Sequence, residues 1–323
     1  MIQGFLNDIF SSFTIDLGGR LMNGIIPLWK PVGMTSHDCV IKLRRLFETK
    51  KVGHTGTLDP EVSGVLPICI GEATKIVPYL TDTKKTYRAE ITLGKATDTE
   101  DQTGQIIEEQ PIDEPISIDA ITAVLEKFLG KIEQVTPLYS AVKVKGKKLY
   151  QYARDNQTVE RPIRQVIIHA IELAPDSLIA AEDTIKFEIE TTVSKGTYIR
   201  TLAVDIGKAL GYPAHMSKLV RTATADFNEN NSIEFEDLEK LKADGQLISA
   251  LLPLEAGITH LPGHRVDSEI AQKVSYGQKL PKPSDWVDDQ PNRIEFNQKT
   301  LAIYQVHPDK PTEIKPLRVF NLD

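Results

Sequence analysis

Gly53-His54-Thr55-Gly56-Thr57-Leu58-Asp59-Pro60 is the segment on which the reading of this chain turns. Its glycine and proline content marks a loop. Taken alone, the closing Asp-Pro pair has an ordinary explanation: aspartate satisfies the local backbone of a turn and proline fixes φ. The sharper explanation is a carboxylate held on a rigid loop as nucleophile or base. Pro60 then fixes the chain, and the glycines let a substrate backbone come close. Composition alone favours the turn.

Outward from this loop, Thr35-Ser36-His37-Asp38 reads as a capping box opening a helix through about Phe47. Val40, Leu43 and Phe47 mark one face of it, and Lys42, Arg44 and Arg45 lie mostly on the others. Residues 85–93 and 185–193 read as strands; in the second, Ile185, Phe187, Ile189 and Thr191 alternate with charged neighbours. Residues 118–129 read as a helix stopped by Gly130, and residues 198–210 as a helix that follows Gly196 and stops at Gly211. Strands and helices mix without a βαβ repeat, which predicts an α+β fold with a mixed sheet. After Leu254 the texture changes to short β-like runs punctuated by proline and glycine, so a small β-barrel-like module is expected over residues 260–323. The boundary falls near residues 252–260.

The chain has 323 residues, 41% hydrophobic and 26% charged, with a net charge of −7. This is an ordinary composition for about two soluble domains. No apolar run reaches the ~18 residues of a spanning helix, so no membrane is expected. The two cysteines, Cys39 and Cys69, cannot build a disulfide framework or a thiolate zinc site, and they suit a reducing cytoplasm. The average charge hides a segregation. Between Lys131 and Arg164 there are eight basic residues against three acids, whereas Asp98 to Asp119 holds eight acids and no Lys or Arg. A basic patch of this kind speaks for nucleic acid more than the overall balance speaks against it. Residues 1–21 make a poor signal peptide, because Asp8 and Asp16 interrupt the apolar residues and no cationic start precedes them. They read as a leader or extension, with the fold beginning at Met22.

The loop does not stand alone. Lys30-Pro31-Val32-Gly33-Met34-Thr35-Ser36 precedes it, and Ser63-Gly64-Val65-Leu66-Pro67 and Gly71-Glu72-Ala73-Thr74-Lys75 follow. Further on come Lys84-Lys85-Thr86-Tyr87-Arg88-Ala89, Pro137-Leu138-Tyr139-Ser140-Ala141-Val142-Lys143 and Ser194-Lys195-Gly196-Thr197-Tyr198-Ile199-Arg200-Thr201-Leu202. In this order, from Met22 to about Arg221, the blocks resemble the TruB family of pseudouridine synthases. The turn Ala223-Thr224-Ala225-Asp226-Phe227 departs from the family pattern, which usually has another basic residue and a glycine there.

The resemblance implies a catalytic domain of pseudouridine synthase type over residues 22–252, with a mixed, largely antiparallel sheet. It implies an RNA-clamping insertion near residues 131–164 and a PUA-like RNA-binding module over residues 260–323. The implied reaction is isomerisation of the uridine at position 55 in the T arm of tRNA: the base detaches from N1, rotates and rejoins its ribose through C5. That needs no redox change, group donor, cofactor or metal, and the sequence shows neither a P-loop nor a dinucleotide fingerprint.

Asp59 is then the essential carboxylate. Attack on C6 of the base, attack on C1′ of the ribose, and removal of a ribose proton all remain open; each needs the ionised form, which an adjacent arginine favours. Arg200 is the implied partner. Tyr87 stacks on the extruded uracil, and its hydroxyl can help in proton transfer. Tyr198 and Leu219 line the base pocket, and Lys75 contacts a phosphate or the pocket. A base flipped from a folded loop leaves lost stacking to replace, and His54 is the candidate for that. Lys143, Lys145, Lys147 and Lys148, with Tyr139, Tyr150 and Tyr152 around them, suit a clamp on RNA phosphates. His260 and His264, separated by Pro262-Gly263, read as loop residues rather than a metal pair.

The expected partner is tRNA, with no obligatory protein partner and a monomeric chain; the guide-RNA-dependent branch of the superfamily carries more basic extensions. The competing readings are a non-catalytic tRNA-binding or folding chaperone, which needs neither Asp59 nor Arg200, and a glycosidase-like hydrolase, which calls for a second carboxylate in a motif.

Overall fold

The computed structural model describes residues 22–321, so the leader expected over residues 1–21 lies outside the described residues. In chain order the strands are β1 (Gly24–Lys30), β2 (Val52–His54), β3 (Ser63–Ile70), β4 (Lys85–Leu93), β5 (Lys95–Thr97), β6 (Ile106–Glu109) and β7 (Gly130–Val135). There follow β8 (Lys143–Val144), β9 (Lys147–Lys148), β10 (Ile163–Leu173), β11 (Ile179–Ala181), β12 (Thr184–Val193), β13 (Ala214–Thr224) and β14 (Phe227–Asn228). The large sheet runs β1-β3-β13-β4-β12-β10-β7, with β2 added to β3, β11 to β12 and β14 to β13. Its ladders are antiparallel except that of β3 with β13. The expected mixed, largely antiparallel sheet is therefore present.

β4 lies at the centre of this sheet because its period-2 pattern places Tyr87, Ala89, Ile91 and Leu93 in the core. The helix Ser36–Leu46 starts as expected: the Thr35 hydroxyl accepts the Asp38 N–H, and the Asp38 carboxylate accepts the Thr35 N–H. Cys39, Val40, Leu43 and Phe47 are buried beneath it. The helix Ile199–Leu210 packs Leu202, Ala203 and Ile206 inward and ends on Gly211 at φ +88°, the left-handed conformation that glycine adopts without strain. The expected helix from 118 is shorter than its periodicity predicts, Ile118–Glu126, and residues 127–129 turn towards Gly130.

The parallel ladder of β3 with β13 depends on a glycine. Gly64 has φ +120°, and a Cβ there would lie 2.2 Å from the Arg221 carbonyl oxygen. Only glycine lets the start of β3 sit this close to β13.

β15 (Gly263–Arg265), β16 (Leu280–Pro281), β17 (Asn292–Phe296), β18 (Lys299–His307) and β19 (Lys310–Val319) form a second sheet in the order β15-β17-β18-β19-β16. This is the expected C-terminal β module, with an unforeseen helix, Ser268–Ser275, that buries Ala271 and Val274. His264, read as a loop residue, lies on β15 and stacks on Trp286 with ring centroids 4.7 Å apart. The two sheets share a core in which Ile25, Val65, Cys69 and Ile76 meet Leu254, Ile258, Ile303 and Phe320.

Candidate active site

The Asp59 loop is held from several sides. Its first residues pair with β3 as strand β2, which is the one respect in which residues 53–54 differ from the expected loop. The buried Thr55 hydroxyl donates to the Pro67 carbonyl at 3.1 Å. The Ser36 hydroxyl accepts the Leu58 N–H at 2.8 Å, tying the loop to the first turn of the helix Ser36–Leu46. Beyond the aspartate, the Gly33 N–H and the buried Lys30 ammonium both donate to the Pro60 carbonyl, at 2.9 and 3.2 Å. Behind the loop lies Arg221, 1% exposed, whose Nε donates to the Val65 carbonyl at 2.7 Å and Nη2 to the Gly56 carbonyl at 3.3 Å. The carboxylate of Asp59 nonetheless faces outward, with its side chain 51% exposed. A rigid loop therefore presents an accessible carboxylate, and Asp59 also opens the turn its Asp-Pro pair predicts, with the Val62 N–H donating to the Asp59 carbonyl at 3.1 Å.

Arg200 meets this carboxylate. Its side chain is 11% exposed, and Nη2 lies 3.3 Å from Asp59 Oδ2. The same guanidinium donates from Nη2 to the Tyr139 carbonyl at 3.1 Å and from Nη1 to the Thr99 carbonyl at 3.2 Å, with Asp101 Oδ2 3.5 Å from Nη1. Tyr87, 8% exposed, lies on β4 opposite Arg221 of β13 on one side and Thr191 of β12 on the other. The ladder thus places the tyrosine level with Arg221, whose guanidinium bonds the Asp59 loop at Gly56.

Three further cations lie at the strand ends around this loop, none of which sequence reasoning assigned a role. Arg221 and Lys30 are almost wholly buried, and burial holds the Lys30 ammonium below its ordinary range. Lys85, two residues before Tyr87 on the same strand face, donates to the Thr81 and Thr83 carbonyls. Burial, and then the charge of Arg221, push it down to about 8. The signal was present for Lys85, since period-2 alternation puts it on the face of Tyr87 and Ala89. Asp101 carried no such signal, being one acid in a run of eight.

His54 is half-buried beside the loop. Burial, followed by the charges of Arg221 and His37, lowers its pKa, and the Gly56 N–H donates to its Nδ1 at 3.4 Å. A neutral ring at neutral pH follows. Tyr198 is half-buried at the entry to the helix Ile199–Leu210, and Leu219 lies on β13 opposite Ala89, packed against the core.

Lys75 is not brought to this group. It follows β3, whose eight residues separate it from the Asp59 end by roughly 25 Å. Its ammonium instead donates to the Glu72 carboxylate at 2.5 Å and to the Val319 carbonyl at 2.7 Å, and the Asn321 N–H joins the same carboxylate at 3.0 Å. Lys75 thus fastens the C-terminal strand to the segment that follows β3 of the large sheet.

The lysine-rich segment is a hairpin, β8 with β9, turning on Lys145 at φ +50° and Gly146 at φ +83°. It projects from the chain between β7 and β10. Lys143 and Lys145 are exposed, whereas Lys147 is engaged by Asp155 and Gln157 and lies 4.6 Å from the Tyr152 ring centre. Lys148 and Arg154 both lie over Tyr150, at 5.5 and 5.3 Å. The tyrosines here organise the insertion itself.

Among the described residues no helix is long and apolar enough to cross a membrane. Comparison with known proteins agrees with the geometry. Residues 44–199 match the TruB family pseudouridylate synthase (N terminal domain), and residues 200–259 match the tRNA pseudouridylate synthase B C-terminal domain. The tRNA pseudouridine synthase B of Bacillus pumilus is 49% identical over 94% of this chain and 99% of its own length. That of Oceanobacillus iheyensis is 50% identical over 94% of this chain and 99% of its own length. Among solved structures, an H/ACA RNP bound to a substrate RNA containing 2′-deoxyuridine aligns with a TM-score of 0.70 at 26% identity, covering 94% of this chain and 87% of that one. A Cbf5-Nop10-Gar1 complex aligns at 0.69 and 26%, covering 97% and 91%. The chain belongs to the TruB family of pseudouridine synthases, isomerases that convert uridine to pseudouridine in tRNA.

Proposed function

We propose that the chain isomerises the uridine at position 55 in the T arm of tRNA, acting on a base flipped out of the folded loop. The observation that carries this reading is the exposed carboxylate of Asp59, on a loop fixed on several sides and 3.3 Å from the nearly buried Arg200. A base leaving the stack gives up a few kcal/mol of stacking and pairing, about the scale that a fitted pocket can return. Tyr87 supplies the stacking face for the uracil, with Tyr198 and Leu219 beside it. The neutral ring of His54 takes the place the base vacates. Asp59 is the essential carboxylate, and Arg200 holds it towards the ribose and base. The exposed Lys143 and Lys145, with Lys148, grip phosphates of the arm, and the C-terminal β module acts as a PUA-like RNA-binding surface. The chain acts as a monomer without a protein partner, and its two buried free cysteines suit the cytoplasm.

The test is tritium release from tRNA transcript labelled with [5-³H]uridine. Wild type should release label, Asp59→Asn should release none while still binding tRNA, and a transcript carrying cytidine at position 55 should remain unmodified. Undiminished release from the cytidine transcript would refute the position; full release by Asp59→Asn would refute the carboxylate's role.

A further inference from the structure

Arg200 is the second residue of the helix Ile199–Leu210, so its reach towards Asp59 depends on where that helix begins. The beginning is weakly specified locally. Tyr198, the residue before the first turn, makes no capping bond with its side chain, and the preceding loop carries exposed Lys195 and Gly196, the latter at φ +79°. A helix start without a cap is ordinarily prone to fray.

The tether comes from another strand. Gln134, on β7, is 1% exposed. Its Oε1 accepts the Tyr198 N–H at 3.0 Å, and its Nε2 donates to the Tyr198 carbonyl at 3.2 Å. Both ends of one side-chain amide are therefore spent on one residue's backbone, in the manner of a strand partner. A buried amide with both ends satisfied has a single stable orientation. β7 also opens the clamp insertion, and Tyr139, five residues beyond Gln134, gives its carbonyl to Arg200. The chain that leads into the clamp thus holds both the backbone beside the catalytic arginine and the arginine's own guanidinium.

We propose that Gln134 is a positioning residue for the isomerisation: its two-point grip on Tyr198 fixes the start of the helix and so sets Arg200 against Asp59. This rests on the reading of Asp59 and Arg200 as the catalytic pair. Gln134 itself does not touch the substrate.

Gln134→Met keeps the length and removes both bonds. Gln134→Glu keeps the shape but has the missing donor only when its carboxyl is protonated, which its burial favours at the acid end of the range. Release of tritium should be measured on bulk [5-³H]uridine-labelled tRNA under single-turnover conditions, between pH 5.5 and 8.5, beside tRNA affinity and thermal unfolding of each variant. Bulk release reports isomerisation at any position, so it does not depend on position 55. Gln134→Met should slow the chemical step roughly tenfold to a hundredfold, as a small misplacement of a catalytic group does, with tRNA affinity within about twofold of wild type. Gln134→Glu should be slow at pH 8.5 and recover towards wild type as the pH falls.

A wild-type rate in Gln134→Met would overturn the proposal. So would a Gln134→Glu rate that keeps a constant ratio to wild type across pH, or one that recovers only in step with thermal stability, since a merely structural role restores the fold and the rate together. If Gln134→Met does not fold, the pH dependence of the Gln134→Glu rate decides alone. Full activity in Asp59→Asn or Arg200→Met would instead remove the catalytic reading on which the proposal stands.

Discussion

Arg200 divides one guanidinium between two carboxylates, with Nη2 3.3 Å from Asp59 and Nη1 3.5 Å from Asp101. Asp59 is half-exposed and Asp101 much less so, at 51% and 18%. The arrangement gives the arginine a fixed anchor on the protein side and leaves the other end of the fork to Asp59, the carboxylate proposed to react. Removing Asp101 should therefore cost activity without touching substrate. Asp101→Ala should slow single-turnover pseudouridine formation by about tenfold to a hundredfold, the worth of a charge-assisted hydrogen bond of ~1.5–3 kcal/mol. Asp101→Asn retains an acceptor and should lose less. An unaltered rate in Asp101→Ala would show that Tyr139 and Thr99 suffice to hold the arginine.

Arg221 leads to a prediction about stability. It is almost wholly buried and spends its donors on the carbonyls of Val65 and Gly56. Arg221→Met fills similar space but strands both carbonyls, one of them in the loop that carries Asp59. An unpaired buried acceptor costs ~1–3 kcal/mol, so a loss of about 2–4 kcal/mol in unfolding free energy is expected. Denaturant titration measures it. A loss below ~1 kcal/mol would mean that water or a loop shift satisfies both carbonyls.

Lys85 ties stability to pH. Its folded pKa of about 8 lies below the ordinary 10.5. Between pH 8 and 10.5 the unfolded chain therefore binds more protons at this site than the folded chain, and stability from this residue rises with pH. Below that window the whole penalty, about 3 kcal/mol, is present. The unfolding free energy of wild type relative to Lys85→Met should rise between pH 7.5 and 9.5, which brackets the group and leaves other titrations common to both proteins. A difference that stays level across that span would mean the ammonium is not desolvated.

How far the sequence disclosed this molecule depended on whether the relevant signal was local. The helix Ser36–Leu46 was readable because its cap, Thr35 with Asp38, lies within four consecutive residues. β4 was readable because alternation is a property of neighbours. Asp59 and Arg200 were found through motif blocks, and the structure brings them together. Asp101 was hidden in an acidic run, and only a turn passing through Glu100 at φ +65° delivers it to Arg200. Gln134 was equally silent, because a buried amide gripping a backbone 64 residues away leaves no local pattern. Lys75 misled in the opposite way. It stands close to Asp59 along the chain, yet β3 carries it to the far end of the sheet.

That relocation is testable. Glu72 is nearly buried; burial pushes its carboxyl up, but the Asn321 N–H and Lys75 outweigh this and hold it below the usual range. Lys75→Met should loosen the C-terminal strand, lowering unfolding free energy by about 1–2 kcal/mol while leaving the rate of the chemical step unchanged. Limited proteolysis should cut first near residues 259–263. A slowed chemical step with unchanged stability would return Lys75 to the RNA site.

The proposed clamp makes a prediction that separates its lysines. Lys143 and Lys145 are exposed and free to meet phosphate, whereas Lys147 is engaged by Asp155 and Gln157 and lies against Tyr152. A lysine that neutralises a phosphate releases a counterion, so its removal lowers the salt dependence of binding by about 0.7–0.9 in log–log slope. Lys143→Ala and Lys145→Ala should each weaken tRNA binding and reduce that slope by about this amount. Lys147→Ala should instead disorder the hairpin, weakening binding with less change in slope, because its charge is already balanced within the protein. The measurement is tRNA affinity by filter binding from 50 to 300 mM salt. Equal slope changes for all three would mean that Asp155 releases Lys147 to the RNA, and that the ion pair is a resting contact which opens when the arm is gripped.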